Sequence, residues 1–72
     1  MTLSEFLQLL DGRREHYRLN RVRDAVMVEI ATPGSRWEVE FMDDGGVEIE
    51  RFVSDGTIAG SEAISELLSQ LD

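Results

Sequence analysis

The chain has no cysteine, no lysine, a single proline and no long apolar run. Without cysteine there is no disulfide framework, no thiolate metal site and no catalytic thiol, and the composition leaves the redox compartment open. Without lysine every basic side chain is an arginine. No apolar stretch approaches the roughly 20 residues needed to cross a bilayer. Met1–Leu10 carries neither a basic region nor a long apolar segment, so it does not read as a signal peptide, and a cytoplasmic location is expected.

What is present is acid. The formal net charge is −8 at 72 residues. Arg13, Arg14, Arg18, Arg21 and Arg23 crowd one segment, and after residue 23 only Arg36 and Arg51 remain. Most of the surface should repel nucleic acid and anionic membrane and attract basic partners. The length suits one domain, residues 1–72. A chain this short buries only about 60% of its unfolded surface, so its core must be shared by all elements or extended by a dimer contact.

Thr2-Leu-Ser-Glu5 has the form of a capping box, and Leu3, Phe6, Leu7 and Leu10 follow at helical spacing. This predicts a helix over 3–11, ended by Asp11-Gly12 with the glycine in a left-handed cap. In Glu15–Arg23, Tyr17 and Leu19 alternate with Arg18 and Asn20, which suits a strand better than a helix. Ala25–Ala31 is a strand with Val26, Val28 and Ile30 on one side. Pro33-Gly34 is a turn, Trp37, Val39 and Phe41 are the apolar side of a third strand, and Val47 and Ile49 begin a fourth. Ser61 is suited to cap a last helix carrying Ile64, Leu67, Leu68 and Leu71 at i, i+3, i+4 and i+7.

The apolar phase sets the register, because apolar residues must face each other across each pair. A three-residue loop Asp43–Gly45, with Gly45 left-handed, sets Val39 against Ile49 and Phe41 against Val47. An even loop at Pro33-Gly34 sets Val28 against Val39 and Ile30 against Trp37. A turn at Arg23-Asp24 then completes two rows on the opposite face: Arg18, Glu29, Glu38, Glu50, and Asn20, Met27, Glu40, Glu48. After Glu50 the alternation fails, since Arg51 would point inward and Phe52 outward. Either a bulge near Arg51 returns Phe52 to the core, or Phe52 is an exposed anchor. The expected fold is α+β, a two-layer sandwich of order α-β-β-β-β-α. It has an antiparallel four-stranded meander with both helices on the Trp37/Val39/Phe41 face.

Glu29, Glu38, Glu40, Glu48 and Glu50 are the candidate partner-binding residues. Carboxylates opposite one another repel, so this face costs stability unless cations or a basic partner meet it. The plainer reading is a solvated face that discourages edge-to-edge aggregation. Catalytic carboxylate pairs need unlike environments inside a cleft, and an open sheet of similar glutamates does not supply them. Asp43-Asp44-Gly45-Gly46 lacks EF-hand spacing and reads as a hairpin turn. His16, the only histidine, has no motif partners for a zinc site or a triad. The arginine cluster lacks the interleaved glycines and aromatics of a phosphate or nucleic-acid site, and is expected to neutralise Glu29 and its neighbours or the acidic helix ends. No catalytic residue, metal or cofactor is therefore expected.

His16-Tyr17-x-Leu19, Arg23-Asp24, Met27-Val28, Pro33-Gly34-x-Arg36-Trp37-Glu38-Val39-Glu40-Phe41, Asp44-Gly45 and Val47-Glu48-Ile49-Glu50 together resemble a family of short uncharacterised bacterial proteins. The resemblance covers about residues 16–60 and implies no activity. Small size and acidity are also similar in kind to immunity proteins that neutralise basic toxins, a general likeness without a diagnostic motif. The expectation is a non-enzymatic acidic protein, immunity- or antitoxin-like, that docks a basic protein through the glutamate face. The alternative is a homo-oligomeric structural module, with a homodimer contact at a sheet edge or at Phe52.

Overall fold

The computed structural model describes residues 1–71. Helix α1 spans Leu3–Gly12 and is followed by strands β1 (Arg18–Val22), β2 (Ala25–Thr32), β3 (Ser35–Met42) and β4 (Val47–Val53). A short 3₁₀ turn, Ser61–Ala63, leads into helix α2, Ile64–Gln70. The strands form one antiparallel sheet in the order β1-β2-β3-β4. The α+β class, the element order and the meander are those expected from the apolar pattern.

Local chemistry explains the elements. The capping box forms in full: the Glu5 N–H donates to Thr2 Oγ1 (3.1 Å), and the Thr2 N–H donates to Glu5 Oε1 (2.9 Å). The helix end departs from expectation. Gly12 is its last residue, and Arg14 takes the left-handed conformation at φ 56°. The Glu15 N–H reaches Leu10 O (3.0 Å) and the Arg14 N–H reaches Asp11 O (3.1 Å). This is a Schellman end built on arginine, two residues past the glycine. Pro33-Gly34 links Thr32 to Ser35, with Gly34 at φ 74° as a type II turn requires. In the β3–β4 loop Gly45 is left-handed at φ 94°, Met42 N–H donates to Gly46 O and Gly45 N–H donates to Met42 O. That is the three-residue loop the register demanded.

Every cross-strand pair inferred from the apolar phase is present, including Val28 with Val39, Ile30 with Trp37, Val39 with Ile49 and Phe41 with Val47. Leu10, Val28, Ile30, Val39 and Phe41 form the core, with Val28 fully buried. Phe6 packs its ring on Phe41 at 5.5 Å between centroids. Trp37 lies half-buried against this cluster rather than at its centre, and its indole N–H donates to Thr32 Oγ1 (3.0 Å).

Only α1 covers the sheet. Leu67 and Leu68, expected to share the core with Trp37, are 56% and 57% exposed, and no α2 residue belongs to the core cluster. The placement of both helices on one face is thus corrected. A helical apolar stripe says which side of a helix wants cover, but not which surface provides it. Ser61 does not act as the cap either, because no side chain caps the 3₁₀ turn or α2. The Gly60 N–H instead donates to Glu62 Oε1 (3.0 Å).

The projecting C-terminus shows in the dimensions. The radius of gyration is 15.2 Å and the extents are 42 × 29 × 16 Å, against about 11 Å expected for the radius of a compact chain of this length. Strands about 4.8 Å apart make a four-stranded sheet roughly 15–20 Å wide, and one helix is about 10–12 Å across. α1 therefore shields about half of the sheet face, and Ile49 on β4 stays 62% exposed.

Candidate functional site

The five candidate glutamates stand on the sheet face opposite α1. Glu29 pairs with Glu38 and Glu38 with Glu50 in one row, and Glu40 pairs with Glu48 in the next. The antiparallel ladder holds these carboxylates side by side, because alternate residues of β2, β3 and β4 share a face.

The charges are not left bare throughout. Arg36 Nη1 lies 2.7 Å from Glu38 Oε2 and 3.7 Å from Glu29 Oε1. The two carboxylates share one guanidinium and are partly shielded. Arg36 also stands over the Phe52 ring, with Cζ 4.4 Å from the ring centroid. Of the two alternatives, Phe52 thus faces outward rather than into the core, 38% exposed. The β3–β4 ladder runs unbroken through Trp37 opposite Arg51 and Arg36 opposite Phe52, so no bulge returns Phe52 to the core. On the other face Arg51 occupies the position the apolar pattern left vacant, its guanidinium carbon 5.3 Å from the centroid of Trp37.

The N-terminal arginines do not neutralise this face. Arg21 makes a two-pronged contact with Asp43, 3.1 and 3.3 Å, at the end of the sheet. Arg18 is opposite Glu29 in register, yet the guanidinium that pairs with Glu29 is Arg36. The reason is geometric. Arg36 and Glu38 are i and i+2 on one strand and so share a face, which brings one guanidinium to Glu38 and to its cross-strand neighbour Glu29. Among the described residues Glu40, Glu48 and Glu50 make no ion pair.

Two apolar residues also belong to this face and were not expected to be buried. Ala25 and Met27 are 1% and 8% exposed although α1 lies on the other side. Met27 sits between Asn20 and Glu40 in its row. Long side chains can cover such positions with their aliphatic stems while their charged ends stay in water. The signal was readable: Met27 was the one apolar residue in a polar row.

Elsewhere the polar chemistry is local. The Tyr17 hydroxyl donates to Asp11 Oδ1 (2.9 Å), tying the start of the sheet to the end of α1, and this bond raises its pKa above the ordinary value. Backbone and side-chain hydrogen bonds with Thr2 hold Glu5 below the usual carboxylate range. Backbone hydrogen bonds at Glu62 and Gly60 do the same for Glu62. His16 is exposed and lines a shallow depression with Tyr17, Arg18, Glu29 and Arg36. Among the described residues no three histidine or carboxylate side chains converge as a metal would require. No described helix is long and apolar enough to cross a membrane.

The chain matches no protein-family model, no curated protein and no solved structure.

Proposed function

We propose that this is a non-enzymatic binding protein whose glutamate face docks a basic partner protein. The partner sites are Glu29, Glu38, Glu40, Glu48 and Glu50. One observation carries the reading: among the described residues Glu40, Glu48 and Glu50 lie together beside the open edge of the sheet with no ion pair, while Arg36 already serves Glu38 and Glu29. A basic protein would relieve a repulsion that folding leaves in place, and complementary charge would speed its association. An immunity- or antitoxin-type inhibitor acting in the cytoplasm is the form such a function takes. It needs no catalytic group, cofactor, nucleic acid or membrane.

The test is capture at low salt from the native host, followed by titration of the purified partner. A basic protein should bind, and raising the salt should weaken it. Glu40→Lys with Glu48→Lys should release it while the circular dichroism spectrum stays unchanged. Binding that survives the reversal overturns the reading.

A second reading is a homo-oligomeric module. It is favoured by one specific observation, the uncovered apolar stripe of α2: Ile64, Leu67, Leu68 and Leu71 are all more than half exposed.

A further inference from the structure

We infer that α2 of one chain docks on the open half of the sheet of a second copy, and that the exchange is reciprocal. This rests on the homo-oligomeric reading above and names its interface.

The fold contains an unfilled slot and an unplaced helix. The slot is a groove of about 350 Å³ on the α1 face, floored by Phe6, Leu10, Ile30, Trp37, Val39 and Ile49. It runs beside α1, where the sheet is wide enough for one more helix. The helix is α2, whose apolar residues recur at i, i+3, i+4 and i+7, are more than half exposed and do not join the core cluster of their own chain. Stripe and groove are apolar surfaces of one molecule, and each lacks what the other offers.

Charge agrees with the match. Arg13 is on the groove wall and Arg51 stands against Trp37 on the same face. The charged residues of the 3₁₀ turn and α2 are Glu62 and Glu66, with no basic residue among them. Glu15, also at the groove, is the one opposing charge there.

Reach alone does not decide whose groove is filled, since the connector 54–60 can span about 23 Å when extended. The observed chain path favours a copy, since α2 stays outside the core cluster of its own sheet and the connector is held in local turns. Ser54 N–H donates to Gly34 O (2.9 Å), Gly56 N–H to Ser54 Oγ (3.0 Å) and Thr57 N–H to Asp55 Oδ1 (2.8 Å). Gly56 is left-handed at φ 84°. With these contacts made, α2 stands clear of its own sheet, and the slot is open to a copy. Two-fold exchange then fills both slots with one self-complementary interface. The alternative self-contact, β4 on β4, is disfavoured, because an antiparallel pairing centred on Ile49 or Glu50 sets glutamate against glutamate.

The test uses the whole chain, whose lack of cysteine makes introduced thiols unambiguous. Sedimentation equilibrium should show a dimer that dissociates on dilution. Leu67→Asp with Leu68→Asp should weaken that dimer at least about tenfold and leave the strand signal in circular dichroism intact. A chain carrying both Ile49→Cys and Leu68→Cys should oxidise to a covalent dimer. A closed monomer from that chain shows α2 on its own sheet and overturns the exchange. A dimer that survives the double aspartate variant overturns the exchange while leaving the homo-oligomeric reading intact. A monomer at every concentration overturns both.

Discussion

At the scale of single residues, α1 ends with its glycine in the wrong place. Gly12 occupies a helical position where it has no steric role, since an added Cβ would meet nothing within 4 Å. Arg14 sits at φ 56°, where a side chain is strained and glycine is not. Gly12→Ala should stabilise the fold by about 0.5–1 kcal/mol through helix propensity. Arg14→Gly should add about 0.5–1 kcal/mol by relieving the left-handed strain. Urea melts should show both increments, and a loss in either variant would mean that the Schellman end is not as described. Tyr17 gives a second local test. Its hydrogen bond to Asp11 raises its folded pKa, so the linked stability is present below the unfolded value of about 10 and is lost as pH rises through the folded value. Tyrosinate absorbance should therefore titrate later in the native protein than in denaturant. Asp11→Ala should remove most of the difference.

At the scale of the elements, the two rows of the glutamate face behave differently. Glu50 stands opposite Glu38 and makes no ion pair among the described residues, whereas Glu38 is held by Arg36 at 2.7 Å. Glu50→Gln should stabilise the sheet by about 0.2–1 kcal/mol, the scale of a cross-strand like-charge contact. Glu38→Gln should be neutral or mildly destabilising, because the loss of a half-exposed ion pair offsets the relief. Thermal melts of the two variants, compared at low and high salt, would expose the asymmetry; equal shifts would mean that Arg36 does not discriminate. The register itself was legible in the sequence, because Val28, Val39 and Ile49 must share one face and a slip of one residue would turn every one of them to water. The partner of Glu38 was not read, although Arg36 two residues away on the same strand was the available signal. Nor was Phe52, because alternation breaks there and both a bulge and an exposed ring satisfy the pattern. The glycine at the helix end misled for a similar reason: composition marks where a helix stops, and the backbone then chooses which residue turns.

At the scale of the whole molecule, stability is concentrated in α1 and the sheet. Domains of this size hold about 0.05–0.15 kcal/mol per residue, or roughly 4–11 kcal/mol in all. Phe41 packs against the tilted Phe6 ring and lies in the core cluster, so Phe41→Ala should cost about 3–5 kcal/mol and bring the chain close to unfolding. Leu68 has the same apolar character and sits in the most regular helical pattern of the sequence, yet it is 57% exposed. In dilute solution, where any dimer has dissociated, Leu68→Ala should change the unfolding free energy from urea melts by no more than about 0.5 kcal/mol, as surface substitutions do. At high concentration the same substitution should matter, because an interface that binds only the folded chain adds stability by mass action. The wild-type melting temperature should then rise with protein concentration, and that of Leu68→Ala should rise less. If Leu68→Ala costs as much as Phe41→Ala at every concentration, α2 is part of the monomer core and the extended shape of the chain is not its shape in solution.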